Sequence, residues 1–190
     1  GRSFSRYNNK AVGDFLKDVY PKSKVISIAG KDRSAIMLAG NNPDLVLYYN
    51  NIDRFITSDF YSDSLPTFID DFNNKLNLQS YKDSLWTKVF PDSLYLKYSR
   101  EDNFSGEVDW YRDQHNEINN KKIYSDEYEP TFPISFDKNH DPGKELMGTP
   151  WFDKVLIDLS KMVISEEELG LDENPDIFFI GFSAMDYIIH

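Results

Sequence analysis

The sequence predicts a layered α/β domain with an irregular insertion, and three observations carry that class. Short apolar runs at Lys24–Ala29, Leu45–Tyr49 and Ile177–Phe182 each stop at small or polar residues. Such continuous runs belong to strands covered on both faces. Between them lie stretches whose apolar residues recur at helical spacing, and strands alternating with helices build a layered sheet. Residues 91–148, by contrast, hold neither period.

Residues 1–9 are polar and read as poorly packed. From Lys10 to Val19, the residues Val12, Phe15, Leu16 and Val19 take helical spacing, and Pro21 closes the helix. Lys24–Ala29 is a strand ended by Gly30, and Ser34–Ala39 a short helix ended by Gly40 and Asn41. Leu45–Tyr49 is the second strand, with Asn50 and Asn51 turning into a short hairpin partner at Arg54–Thr57. Pro66–Leu76 reads as a helix that turns Phe68, Ile69 and Phe72 inward, and Ser84–Val89 as a further short helix. Thr131–Phe136 reads as an extended edge segment because Pro133 cannot donate to a ladder. His140-Asp141-Pro142-Gly143 is a turn. Val155, Leu156, Leu159, Met162, Val163 and Leu169 define a helix of about four turns, beginning near Pro150 and stopped by Gly170. Ile177–Phe182 then reads as a buried strand. One domain over 1–190 accommodates all of this, with 91–148 packed on it as an insertion.

Aromatic residues make up 15% of the chain, which is a folding composition. A net charge of −11 argues against nonspecific nucleic-acid binding, which depends on cations displacing counterions. The absence of cysteine removes disulfides, thiolate catalysis and Cys-ligated metal. No run of 18 apolar residues and no basic-then-apolar leader is present, so the sequence points to no membrane partner.

Two places carry chemistry. Lys31-Asp32-Arg33 follows the first strand, where Lys and Arg could clamp an oxyanion at a helix start; a solvated, salt-bridged triplet is the plainer alternative. Asp186 and His190 sit four apart after the last strand, on one face if helical. Both residue types ligate zinc, yet two ligands are fewer than a zinc site needs, and a helix-start Asp beside an unconnected His is the alternative. His115, Asp137 and His140 fit no metal spacing. Ser34, Thr57, Ser58 and Ser183 lack a local His and acid arrangement, and Gly181-Phe182-Ser183-Ala184 lacks the second glycine of a nucleophile elbow.

Lys31–Ile36 and Phe182–His190 together resemble the alkaline phosphatase superfamily, in its monomeric periplasmic phosphomonoesterase branch. Lys10–Leu16, Phe55–Tyr61, Leu65-Pro66, Thr149–Asp153 and Glu168–Gly170 resemble the same branch, so the likeness covers residues 10–77 and 148–190. It implies that Lys31 and Arg33 contact the phosphoryl oxygens of a phosphate monoester, with Asp32 orienting them. It also implies that Asp186 and His190 are two ligands of one zinc in a two-zinc centre, and a periplasmic or extracytoplasmic location.

The chain departs from that pattern at Asn41, where the branch has His, and at Ile189, where it has Gly. Nothing matches the branch's nucleophilic Thr or Ser, the asparagine accompanying it, or its remaining metal ligands. The expectation is therefore an internal piece of a covalent phosphoenzyme phosphatase, inactive alone and holding no zinc stably. Phosphodiesterase or sulfatase chemistry is the enzymatic alternative. A noncatalytic piece that self-associates through exposed surfaces is the other.

Overall fold

The structure is a computed structural model that describes residues 2–102, 117–118, 121–122, 131–136 and 141–189. Its centre is a four-stranded sheet of β1 (Val25–Ala29), β2 (Leu45–Tyr49), β3 (Phe55–Ile56) and β8 (Ile177–Gly181), ordered β3-β2-β1-β8. β1 runs parallel to β2 and to β8, and β3 closes a hairpin antiparallel to β2. Of the short strands, β4 (Leu85–Trp86) pairs with β7 (Ile134–Ser135), and β5 (Glu117–Ile118) with β6 (Lys121–Lys122).

Side chains alternate across the sheet, and both faces are covered. Ile26, Ile28, Leu45, Leu47 and Tyr49 pack with Phe152, Val155, Leu156, Leu159 and Val163 of the long helix α6 (Pro150–Glu166) and Ile69 of α3 (Thr67–Lys75). On the other face Ala29, Val46 and Tyr48 meet Ala35, Ile36 and Ala39 of α2 (Asp32–Ala39). This double covering is why β1 and β2 are apolar at nearly every position. Phe4 joins the second face at 3% exposure, so the polar opening segment is anchored by one buried ring.

Four expectations change. β8 lies at the sheet edge with every residue half-exposed, because among the described residues no strand pairs beyond it. Ser84–Val89 is no helix: its apolar pair Leu85-Trp86 forms β4, flanked by a 3-10 turn at Leu78–Tyr81 and helix α4 (Asp92–Tyr98). The turn at Asp141 opens helix α5 (Pro142–Met147), whose first turn is satisfied by Asp141 Oδ1 accepting from Gly143 N at 2.9 Å and Lys144 N at 3.2 Å. Phe136, Leu146 and Met147 enter the main core.

The fourth concerns α1 (Val12–Val19), whose apolar stripe points outward: Val12, Phe15 and Val19 are 65%, 59% and 68% exposed. The buried residues are Gly13 and Asp14. A Cβ on Gly13 would lie 2.4 Å from Val25 Cγ1, so only glycine permits this approach to β1. Asp14 accepts hydrogen bonds from Ala11 N at 2.8 Å, Asn41 N at 2.9 Å, Asn41 Nδ2 at 3.1 Å and Asn42 N at 3.0 Å. Burial favours its neutral form, but these donors outweigh burial and hold the carboxyl below its ordinary pKa. Asn41 thus supplies both a backbone and a side-chain donor to this knot.

Candidate functional site

Parallel strands deliver their following residues to one edge of a sheet, and ligands of open α/β folds bind there. β1 leads through Gly30 and Lys31 into α2, and β8 leads through Phe182 and Ser183 into α7 (Ala184–Ile189). The last rung between the two strands is Gly30 N donating to Gly181 O at 3.2 Å. Gly30 is required at this junction. A Cβ there would come within 2.5 Å of Phe152 Cε1 and 2.8 Å of Ser183 Oγ. Two ties fix the start of α7: Ser183 O accepts from Tyr187 N at 3.2 Å, and Asp153 Oδ1 of α6 from Ala184 N at 3.4 Å.

A cavity of about 160 Å³ opens at this edge, lined by Arg2, Lys31, Asp32, Arg33, Tyr49, Asn51 and Tyr187. The Lys31 ammonium is ion-paired with Asp186 and stands 4.4 Å from the ring centroid of Tyr187. Burial first, and the Arg33 charge second, draw its pKa below the ordinary lysine value. No hydrogen bond or ion pair engages the Arg33 guanidinium among the described residues. Asp32 orients neither cationic side chain as expected: its Oδ1 accepts from Arg33 N at 2.7 Å, and its Oδ2 pairs with Arg2 Nη1 at 2.9 Å. Tyr49 adds a buried hydroxyl with no hydrogen-bond partner among the described residues, and burial, with Asp53 and Asp141 nearby, pushes its pKa upward.

The structure therefore brings Lys31, Arg33 and Asp186 to one edge of the sheet. His190, the other expected metal ligand, lies outside the described residues, as do His115, Asp137 and His140. Among the described residues no three His, Asp or Glu side chains converge, and Asp186 is occupied by Lys31, so these residues by themselves do not fit a zinc site. Thr57 Oγ1 is buried without a partner among the described residues, Ser58 Oγ bonds Asp59, and Ser183 Oγ donates weakly to Gly181 O at 3.4 Å. Among the described residues neither Thr57 nor Ser183 is hydrogen-bonded to a general base, and Ser58 has only the Asp59 carboxylate, at 3.2 Å. No described helix is long and apolar enough to cross a membrane.

Alkaline phosphatase PafA of Elizabethkingia meningoseptica is 29% identical over 171 residues, 88% of this chain and 29% of that protein. Its crystal structure superposes on 95% of this chain with a TM-score of 0.75 at 26% identity, covering 33% of the solved chain. The chain is homologous to the alkaline phosphatase superfamily. A solved PafA variant with four substitutions, among them alanine for a lysine and for an arginine two positions further on, gives a TM-score of 0.77 at 25% identity over 95% of this chain and 33% of the variant's. A protein described as a calcium-transporting ATPase from Myroides odoratus is 30% identical over 176 residues, 89% of this chain and 29% of that protein. No family model matches the chain. This superfamily relative spans less than a third of the length of the curated proteins it matches.

Sequence reading missed Arg2, Tyr49, Asn51 and Tyr187. Tyr49 and Asn51 were open to the same carboxyl-edge argument that marked Lys31, since Tyr49 ends β2 and Asn51 follows it. Arg2 gave no signal, because its place depends on a contact across thirty residues of chain.

Proposed function

We propose that this chain supplies the phosphate-gripping part of a phosphomonoesterase, with Lys31 and Arg33 contacting the oxygens of the transferred phosphoryl group. The observation that carries the reading is the cavity at the β1 and β8 ends, where Lys31 and Arg33 line one wall in a homologue of alkaline phosphatases. Their i,i+2 spacing matches the lysine and arginine replaced in the PafA variant. Fixed cations serve phosphoryl transfer because charge spreads over the equatorial oxygens in the transition state. Two of them suit a monoester better than a diester or sulfate ester, since the monoester dianion exposes more anionic oxygen.

The reading takes the Ser or Thr nucleophile, its asparagine and the other metal ligands from sequence beyond these 190 residues. The covalent phosphoenzyme belongs to that whole protein, and the isolated chain is without turnover. Zinc is part of the proposal only for the whole protein, where Asp186 and His190 would join ligands from elsewhere; an extracytoplasmic location goes with it. We place residues 91–148 as an insertion on the same domain.

Calorimetric titration of inorganic phosphate and dimethyl phosphate into the chain tests this. Phosphate should bind, R33A should weaken it about tenfold, as for loss of one charge-assisted contact, and dimethyl phosphate should bind more weakly. Equal affinity of R33A and the parent chain for phosphate would refute the reading.

A second reading is favoured by β8, an apolar edge strand, together with the exposed stripe of α1: self-association of the isolated chain. Size-exclusion chromatography across a concentration series decides it, a constant monomer volume being the contrary result.

A further inference from the structure

We infer that Arg2 forms a second anion subsite beside the Lys31–Arg33 pair, fitted to substrates that carry another negative group next to the phosphoryl group; the inference rests on the phosphomonoesterase reading. Arg2 lines the same cavity and is held there from two sides. Its Nη1 pairs with Asp32 Oδ2 at 2.9 Å, and its Cζ stands 5.7 Å from the ring centroid of Tyr48.

The pairing leaves donors to spare. A guanidinium presents five N–H groups in a rigid plane, more than one carboxylate can take up, and its contact with Asp32 is Nη1 to Oδ2 at 2.9 Å. Asp32 is committed on its other oxygen to Arg33 N, so it bridges the start of α2 to Arg2, which lines the same cavity as Arg33. As a mere staple the contact would do little, because the Arg2 side chain is 59% exposed and exposed ion pairs contribute about 0–1 kcal/mol. Phe4, fully packed two residues on, already anchors this segment. Three cationic side chains, Arg2, Lys31 and Arg33, stand around the cavity against two carboxylates, Asp32 in its lining and Asp186 paired with Lys31, in a chain whose net charge is −11. That local reversal of sign favours an anionic ligand, and Arg2 is the cation placed to meet a second negative group.

Inorganic phosphate and inorganic pyrophosphate are the probes, titrated calorimetrically into the chain and its variants. The parent chain should bind pyrophosphate about tenfold more tightly than phosphate, one further charged contact. R2A should erase that gap while leaving phosphate affinity within about twofold, and R2K, which keeps charge but not the fork, should restore only part of it. R33A should weaken both probes. Loss of both probes in equal measure on R2A, no change in either, or no preference in the parent chain overturns the second subsite while the phosphate site stands. Indifference of both probes to R33A, or no binding of either, overturns the phosphate site and the subsite together. Arg2 is exposed, and an unchanged circular dichroism spectrum of R2A shows that the comparison is between folded proteins.

Discussion

The ammonium of Lys31 is paired with the carboxylate of Asp186, so the cation proposed to grip phosphate at one βα junction is held by the acid of the next. An incoming oxyanion competes with that carboxylate for the same charge. D186A should therefore strengthen phosphate binding by the chain, by about fivefold for roughly 1 kcal/mol of relieved competition. K31A should weaken it. Calorimetry reads both, and weaker binding in D186A would show that the carboxylate supports the anion site instead.

Asp14 ties the start of α1 to the turn after α2, and its stability contribution has a definite sign with pH. Its folded pKa lies below the ordinary 3.8, so the unfolded chain takes up the proton first as pH falls. The contribution is complete above the unfolded value and is lost as pH drops through the folded one. Urea unfolding at pH 7 should show D14A destabilised by about 2–3 kcal/mol, because buried backbone donors lose their acceptor. The gap between the parent chain and D14N should narrow from pH 6 to pH 3; a gap that widens would reverse the assignment.

Two helical phenylalanines should behave oppositely. Phe152 has no exposed surface and packs against Tyr49 with ring centroids 5.2 Å apart, whereas Phe15 is 59% exposed. Phe152→Ala should cost about 3–5 kcal/mol and Phe15→Ser less than about 0.5 kcal/mol in denaturant unfolding. A large loss for Phe15→Ser would mean that α1 is packed through its apolar stripe.

Gly30 should tolerate no side chain. In G30A the new methyl would overlap Phe152 and Ser183, and a loss of about 1–3 kcal/mol is expected from overpacking. Because the same backbone places Lys31, phosphate affinity should fall with it, and heteronuclear NMR should show shifted amides at the start of α2. Unchanged melting temperature and unchanged amides would contradict the close approach.

The strands and most helices were legible because double burial writes itself as unbroken apolar runs, as in Leu45–Tyr49, which β2 matches end for end. Lys31, Arg33 and Asp186 were legible as residues following such runs. What was hidden depended on contacts made far along the chain. Phe4 looks like a stray aromatic in a polar segment until α2 covers it, and Arg2 is nothing until Asp32 lies beside it. The stripe of α1 misled, since helical periodicity says which residues share a face and leaves open whether that face is inward. Ser84–Val89 was too short for its period to choose between helix and strand, and its pairing with Ile134 and Ser135 decided the matter.

The rung from Gly30 to Gly181 has a consequence for how such a site changes over time. Adjacent strands stand about 4.8 Å apart whatever side chains follow them. Positions 31–33 and 186–187 are thus mounted on a fixed gauge, and exchanging a cation for an acid there alters what is gripped without moving the frame. Chemistry at this edge is free to drift faster than the architecture that holds it.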